Sequence, residues 1–292
     1  MKSFADYIPV NWTEHKTELP TGITLAWTCC GPADGIPLIL IHGVTDGRIS
    51  WSQVAPMLAE RGYRVYVPEY RGNGKTDKPD PGPCGYLIQT HTDDILAWMD
   101  AVGIRQAHIA GHSLGSLICQ RLNITAPERI LSTTLQDSAA RCTENEVIRW
   151  VLQGDGADFL GVCGYAETEQ LPESFLTEWT ENTNDCEDFR LATLEHVRQI
   201  PYPAWNWLMT GLAAYDNRDA LPKMTGKVLV LWGDNDTVFP QQDQDELLQG
   251  LTGCDVTRNT LCGGSHNFHW DGPEARLWCV DALDAFLRSL TF

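Results

Sequence analysis

Short apolar runs alternate with amphipathic stretches along most of the chain. Apolar runs bounded by turn residues are typical of buried strands, and apolar positions spaced three to four apart are typical of helices. The predicted strands are "ITLAWTC" from residue 23, "PLILIH" from 37, "YRVYVPE" from 63, "AHIAGH" from 107, "ILSTTLQ" from 130, "KVLVLWG" from 227 and "DVTRNTL" from 255. The predicted helices lie near 51–61, 89–102, 114–125, 241–250 and 273–289. This alternation predicts an α/β fold with a mostly parallel sheet and helices on both faces.

One region interrupts the alternation. Between about 139 and 222 no buried strand is predicted, and "SFLTEWTEN" and "EDFRLATLEHVRQI" have the pattern of amphipathic helices. We therefore predict a core domain made of residues 1–138 and 223–292, with residues 139–222 inserted as a helical cap above the C-terminal edge of the sheet. The alternative is a second helical layer whose aromatic residues serve only as a core.

Composition and charge narrow the class of protein. The 292 residues are 43% hydrophobic and 21% charged, which is typical of a folded globular protein. A formal net charge of −18 argues against nucleic acid or an anionic membrane as a partner. The N-terminus has no apolar signal segment, and no stretch is long and apolar enough to span a bilayer, so we expect a cytoplasmic protein. Nothing in the sequence fixes the oligomeric state, and a homodimer stays open.

The cysteines do not indicate a metal or disulfide framework. Ten of them are scattered along the chain, with no C-x-x-C pair and no cluster with histidine. We expect reduced thiols, many of them buried as small apolar side chains.

The segment "HIAGHSLGSL", residues 108–117, places Ser113 between two glycines directly after a predicted strand. The pattern G-x-S-x-G is typical of a nucleophile elbow, in which small residues relieve the crowding of a sharp strand-to-helix turn. Such a turn lifts the serine hydroxyl out of the sheet. Ser113 is therefore the candidate nucleophile.

A serine hydroxyl needs a base and an acid that orients the base. The segment "VLVLWGDND" ends a predicted strand with Asp234 and Asp236, and "LCGGSHNFHWDGPEA" offers His266 and His269. The resulting chain order of serine, aspartate and histidine is the one that accompanies this type of elbow.

An oxyanion site is predicted from two backbone N–H groups. The segment "LILIHGVTDG" ends a buried strand, and the turn after it can present the N–H of Val44. The N–H of Leu114 directly follows the candidate nucleophile. Two such donors converging on one oxygen would stabilise the negative charge that develops in acyl transfer.

Five motifs in order resemble the α/β-hydrolase superfamily over nearly the whole chain: "HGVTDGRISW", "YRVYVPEYRGNGKTDKP", "GHSLGS", "LWGDNDTVFP" and "GGSHNFHWDGPEA". Two positions depart from the family pattern. Thr76 replaces the usual serine of R-G-x-G-x-S, and Ser265 stands where glycine more often precedes the histidine. The resemblance implies an α/β-hydrolase fold with Ser113 as nucleophile.

The resemblance also selects between the candidate bases and acids. It implies His266 as base, because the acidic residue and the proline expected five and seven positions later are Asp271 and Pro273. It implies Asp236 as acid, because the family spacing G-x-x-D from Gly233 ends there.

Three nearby polar residues keep two interpretations each. Asp137 ends another predicted strand and competes with Asp236, since some family members carry the acid at that point. Asp46 is expected either to contact substrate or to cap a helix that begins near Ser50. His112 is expected either to hold a loop or to line the pocket.

The reaction implied by the resemblance is acyl transfer to water, without a cofactor or metal. The substrate is expected to be a small carboxylic ester or lactone, and the motifs do not distinguish these from a thioester or an activated amide. Family members with the same triad also cleave carbon–carbon bonds, and others act as small-molecule receptors with little turnover, so both alternatives stay open.

The cap gives an expectation about the substrate. We predict that it contacts His112, Trp150, Tyr165, Trp179 and Trp205. Acidic residues outnumber arginines in the cap, which predicts a neutral, apolar or aromatic substrate that passes an anionic rim. The alternative is that these carboxylates only form a solvated outer face. They are Glu144, Glu146, Asp155, Asp158, Glu167, Glu169, Glu173, Glu178, Glu181, Asp185, Glu187 and Asp188.

Overall fold

A single mixed sheet organises the computed structural model, which describes Pro9 and residues 12–156, 159–166, 168–181 and 186–290. Within these residues the strands are β1 (Thr13–Glu18), β2 (Thr24–Cys30), β3 (Ile36–Ile41), β4 (Tyr63–Glu69), β5 (Ala107–His112), β6 (Ile130–Gln136), β7 (Gly226–Gly233) and β8 (Cys254–Leu261). Their spatial order is β1-β2-β4-β3-β5-β6-β7-β8. β2 pairs antiparallel with β1 and β4, and all other neighbours are parallel. The predicted mostly parallel sheet is therefore confirmed.

Seven strands coincide with the predicted ones, with ends that differ by at most one residue. The sequence pattern missed β1, whose letters TEHKTE include no apolar residue. This strand lies at the edge of the sheet, where only one neighbour supplies hydrogen bonds, and its side chains are exposed or half-buried. The stacking of His15 on Trp27 and the bond from Trp27 Nε1 to Thr17 Oγ1 hold it to β2.

Helices cover both faces of the sheet. They are α1 (Ala55–Glu60), α2 (Ile88–Ala101), α3 (Leu114–Thr125), α4 (Glu146–Gln153), α5 (Glu173–Glu181), α6 (Glu187–Val197), α7 (Tyr202–Ala213), α8 (Gln241–Gly250) and α9 (Pro273–Ser289). One core cluster contains apolar residues of α2, α3 and α8, and a second contains those of α1 and α9. The helix predicted near 51–61 is in fact a 3-10 turn, Gly47–Trp51, followed by the short α1.

The segment predicted to form the cap, residues 139–222, contains α4 to α7 between β6 and β7. Its two ends lie side by side, because Cys142 N–H donates to the carbonyl of Tyr215 at 2.8 Å and Asn217 N–H donates to that of Ala140 at 3.0 Å. The hydroxyl of Tyr215 also donates to Gln120 Oε1 at 2.8 Å, so the C-terminal end of this segment is hydrogen-bonded to α3. The boundaries of the two predicted domains remain predictions.

Two further features bear on the expectations from composition. In the described part of the chain, no helix is both long and apolar enough to cross a membrane. The ten cysteines all lie in the described residues and form no disulfide there, and five of them, Cys29, Cys30, Cys119, Cys142 and Cys279, are buried, as expected for small apolar side chains.

Candidate active site

The turn from β5 to α3 is strained and leaves no room for larger neighbours. Ser113 has φ of 51° and ψ of −125°, a conformation that L-residues rarely adopt. A Cβ at Gly111 would lie 2.2 Å from the carbonyl oxygen of Gly115, and a Cβ at Gly115 would lie 2.3 Å from that of Ile41. The two glycines are therefore required by close backbone packing around the elbow.

Three of the predicted side chains form one hydrogen-bonded row. Ser113 Oγ lies 3.0 Å from His266 Nε2, and His266 Nδ1 lies 2.9 Å from Asp236 Oδ2. The other carboxylate oxygen of Asp236 accepts the N–H groups of Val238 and Phe239 at 2.7 and 2.9 Å. These two bonds fix the carboxylate, so that Oδ2 faces the imidazole.

His269, the alternative base, is fully buried and bonds to residues other than Ser113. Gln136 Nε2 donates to its Nδ1 at 2.8 Å, so the ring proton lies on Nε2, which faces Ser50 Oγ at 3.2 Å. Burial, together with the neighbouring His112 and His266, lowers the pKa of His269 well below its usual value. The ring also stacks on Trp51 with centroids 4.9 Å apart. These contacts leave His269 as a neutral packing residue.

The alternative acids also have other partners. Asp137 Oδ1 accepts the N–H of Gly233 at 3.1 Å, and Asp234 Oδ1 accepts that of Gly263 at 2.5 Å. Burial, reinforced by the nearby charge of Asp236, raises the pKa of Asp137 well above its usual value. A carboxyl group that stays protonated cannot stabilise a charged imidazole as a carboxylate does.

The loop after β3, residues 42–46, carries Val44, which lines the same cavity as Ser113. Tyr70 Oη donates to the carbonyl of Gly43 at 2.7 Å, and Thr45 has a positive φ of 62°. Within the described residues, the N–H groups of Val44 and Leu114 make no backbone hydrogen bond of the fold. Leu114 is the first residue of α3, where the N–H groups lack an intrahelical partner. Both donors thus remain available to a ligand.

A cavity of about 420 Å³ opens above Ser113 and His266. Three of the predicted contact residues, His112, Trp150 and Trp179, line it. The described wall is mainly apolar, and it also includes Val44, Val147, Ile148, Val151, Phe159, Phe175, Met209, Leu212, Val238, Phe239 and Trp270. Phe175 was not among the predicted contacts, although its spacing of four from Trp179 on an amphipathic helix places both on one face.

Tyr165 and Trp205 do not line this cavity, contrary to the expectation that they contact substrate. Trp205 is fully buried in the cap and packs edge-on against Phe175 and Trp179, with centroids 5.8 and 5.3 Å away. Tyr165 packs edge-on against Phe175 at 6.1 Å. Both rings therefore pack against residues of the cavity wall and are not themselves part of it.

The acidic residues predicted to form the rim differ in their surroundings. Glu178 lines the cavity together with Asp46 of the β3 loop, and no lysine or arginine lies among the described lining residues. Asp46 makes no side-chain cap to the 3-10 turn that follows it, so the capping alternative is not seen. Glu144, Glu173 and Glu187 instead pair with arginines on the outer surface. Asp158, Glu167 and Asp185 lie outside the described residues.

Comparisons with known proteins give one family. A family model described as the alpha/beta hydrolase fold matches residues 36–273. A relative from Azorhizobium caulinodans, whose name describes a proposed carbamate hydrolase RutD, is 34% identical over 82% of this chain and 88% of its own. The 3-oxoadipate enol-lactonase 1 of Acinetobacter baylyi is 25% identical over 92% of this chain and 95% of its own.

Solved structures show the same fold. A hydrolase from Pseudomonas aeruginosa superposes with a TM-score of 0.79 at 22% identity, covering 94% of this chain and 98% of the other. The enol-lactonase from Burkholderia xenovorans gives 0.74 at 21% identity, with coverages of 94% and 100%. The family match, the relatives and the fold lead to one conclusion. The chain belongs to the α/β hydrolase family and is a hydrolase.

Proposed function

We propose that this protein hydrolyses carboxylic esters or lactones of small, neutral, largely apolar or aromatic compounds through an acyl-enzyme on Ser113. The observation that carries the proposal is the row from Ser113 Oγ through the His266 imidazole to Asp236 Oδ2, with separations of 3.0 and 2.9 Å, at the floor of an apolar cavity. Hydrogen-bonded nucleophile, base and acid are the arrangement that activates a serine.

In the first half of the reaction, Ser113 Oγ attacks the substrate carbonyl carbon while His266 Nε2 takes the hydroxyl proton. The resulting oxyanion accepts hydrogen bonds from the N–H groups of Val44 and Leu114. The imidazolium is stabilised by Asp236 and gives its proton to the departing alkoxide oxygen. An ester loses its alcohol at this step, whereas a lactone keeps the new hydroxyl on the acyl chain.

In the second half, water attacks the acyl carbon of the ester on Ser113. His266 takes a proton from the water, and the tetrahedral intermediate collapses when Oγ leaves and regains that proton. The product is a carboxylic acid, and Ser113 is free again. In both halves, His266 transfers the protons with Asp236 as its partner, and the N–H groups of Val44 and Leu114 stabilise the oxyanion.

The lining of the cavity supports a neutral substrate. Its described wall is dominated by aliphatic and aromatic side chains, and its two carboxylates, Asp46 and Glu178, would repel an anion. An enol-lactonase among the relatives supports a lactone as the reacting group. The adipate of its name leaves one free carboxylate, so the neutral character of the substrate proposed here rests on the lining residues alone.

Carbon–carbon bond cleavage is the second candidate, because one relative is named 2-hydroxy-6-oxo-6-phenylhexa-2,4-dienoate hydrolase. It is 24% identical over 81% of this chain. A dienoate carries a carboxylate, which is favoured by a lysine or arginine in the site. The described lining residues include neither. Ester or lactone hydrolysis is therefore the better supported candidate.

The test compares a neutral aryl ester, its carboxylated analogue, an aryl lactone and the dienoate at low and high ionic strength. We expect the highest kcat/KM for the neutral ester or the lactone, and we expect added salt to improve the carboxylated analogue selectively by screening repulsion. Preference for the carboxylated analogue that weakens with salt would contradict the neutral-substrate proposal. Turnover of the dienoate alone would replace ester hydrolysis by carbon–carbon cleavage, and binding of these compounds without turnover would indicate a receptor.

A further inference from the structure

His112 and Ser113 are neighbours on the elbow, and both bind the same distant residue. Ser113 Oγ lies 3.0 Å from the His266 imidazole, while His112 Nε2 lies 2.8 Å from the His266 carbonyl oxygen. The two contacts therefore span 153 and 154 residues of sequence and hold both the side chain and the main chain of one residue.

The direction of the second bond follows from its acceptor. A carbonyl oxygen only accepts hydrogen bonds, so His112 Nε2 carries the proton and donates it. His266 lies in the irregular segment after β8, where no regular backbone ladder fixes its position. The bond from His112 links this segment directly to the end of β5, the strand that ends at the elbow.

The ring of His112 has little freedom to turn away. It is 1% exposed, and its centroid lies 5.1 Å from that of His266 and 4.6 Å from that of His269. On its other side, Nδ1 has no hydrogen-bond partner among the described residues and faces the Asp46 carboxylate at 3.6 Å. The elbow, the β3 loop and the His266 segment thus meet at one imidazole.

We propose that His112 is a positioning residue: its Nε2–H holds the His266 main chain so that the His266 imidazole stays within reach of Ser113 Oγ. This inference rests on the proposed serine mechanism. It differs from the expectation that His112 contacts substrate, because it predicts an effect on the chemical step and not on substrate affinity. A displacement of about 1 Å in such a row costs on the order of 100-fold in rate.

Replacing His112 by glutamine or by asparagine distinguishes this positioning role from a role in substrate contact or in folding. The amide nitrogen of glutamine extends from Cα about as far as Nε2 of histidine, whereas that of asparagine reaches only as far as Nδ1. We expect His112→Gln to keep kcat within about threefold and His112→Asn to lower it by about 10- to 100-fold with little change in KM. Labelling of Ser113 by a serine-reactive phosphonate should slow in parallel, and near-equal Tm values would show that both variants fold.

Each other outcome would overturn the inference. An Asn variant as fast as wild type would show that the bond is not needed, and equal losses in both folded variants would show that donation to the carbonyl is not the role. A raised KM with unchanged kcat would make His112 a substrate contact.

If the Asn variant does not fold, the imidazole ¹⁵N spectrum of the wild type decides, since an unprotonated His112 Nε2 contradicts the assigned bond. Failure of the wild type to label at Ser113 would remove the proposed mechanism itself, whereas normal labelling with an unaffected Asn variant removes only this inference.

Discussion

Asp137 Oδ1 accepts the N–H of Gly233 at 3.1 Å, so the carboxyl group at the end of β6 binds the backbone at the end of β7. The next strand end then supplies Asp236, whose Oδ2 lies 2.9 Å from His266 Nδ1. Two carboxyl groups thus stand beside one another at the edge of the sheet, and they have different partners. One supports the backbone of the turn, and the other orients the imidazole.

The first prediction concerns which of these carboxyl groups serves the reaction. Asp236→Asn should lower kcat by about 10³- to 10⁴-fold, because an amide favours the wrong imidazole tautomer and cannot stabilise the imidazolium. Asp137→Asn should stay within about threefold of wild type, since its Oδ1 can still accept the Gly233 N–H. Steady-state kinetics on one ester checks both variants. A larger loss for Asp137→Asn would move the acid to β6.

The second prediction concerns stability and pH. Burial raises the pKa of Asp137 well above its usual value, so the folded state keeps the proton at pH values where the unfolded chain has lost it. This opposes folding increasingly as the pH rises above about 4 and has no effect below that. Asp137→Asn removes the penalty, so its gain in free energy of unfolding should grow from pH 4 to neutrality. Urea unfolding at several pH values measures this, and a gain that shrinks with rising pH would contradict it.

The third prediction separates two tryptophans of the cap. Trp179 Nε1 donates to Thr45 Oγ1 on the β3 loop at 3.1 Å, whereas Trp205 is fully buried behind the cavity wall. Trp179→Phe should lower kcat/KM by about 3- to 10-fold, the equivalent of one hydrogen bond. Trp205→Phe should instead lower the free energy of unfolding by about 1–3 kcal/mol, because it leaves unfilled volume in a packed core.

Kinetics and chemical unfolding of the same two variants test this assignment. Equal effects of both changes on kcat/KM, with equal effects on stability, would show that Trp205 also acts at the cavity surface.

The fourth prediction concerns strain at the elbow. Ser113 has a positive φ that glycine adopts without cost and alanine does not. Ser113→Gly should therefore be more stable than Ser113→Ala by about 1 kcal/mol, although both lack the nucleophile. Unfolding measurements on the two variants check this difference. A less stable glycine variant would show that the elbow is not strained.

The sequence predicted the elements whose apolar pattern is strong and missed those that depend on their neighbours. Seven strands were predicted to within one residue because buried parallel strands are continuously apolar. β1 was missed, since its polar letters become a strand only by pairing with β2 at the sheet edge. The helices α4 and α7 were not predicted individually.

The candidate site likewise contains residues that the sequence predicts and residues that only the tertiary structure identifies. Motif spacing was enough to predict Ser113, His266 and Asp236 as nucleophile, base and acid, and the structure places them in one hydrogen-bonded row. It was not enough to separate cap aromatics that line the cavity from those behind them, because Trp179 and Trp205 differ only in tertiary packing. The bond from His112 to the His266 carbonyl also had no local signal, since it joins residues 154 apart.

The most direct test of the central claim, that hydrolysis proceeds through an ester on Ser113, is intact-protein and peptide mass spectrometry after rapid acid quenching during turnover of a neutral aryl ester. We predict one added acyl group located on Ser113 in the wild type, and none in Ser113→Ala, whose kcat should fall by at least about 10⁴-fold without loss of folding. Turnover of Ser113→Ala within tenfold of wild type, or an acyl group on any other residue, would contradict the account.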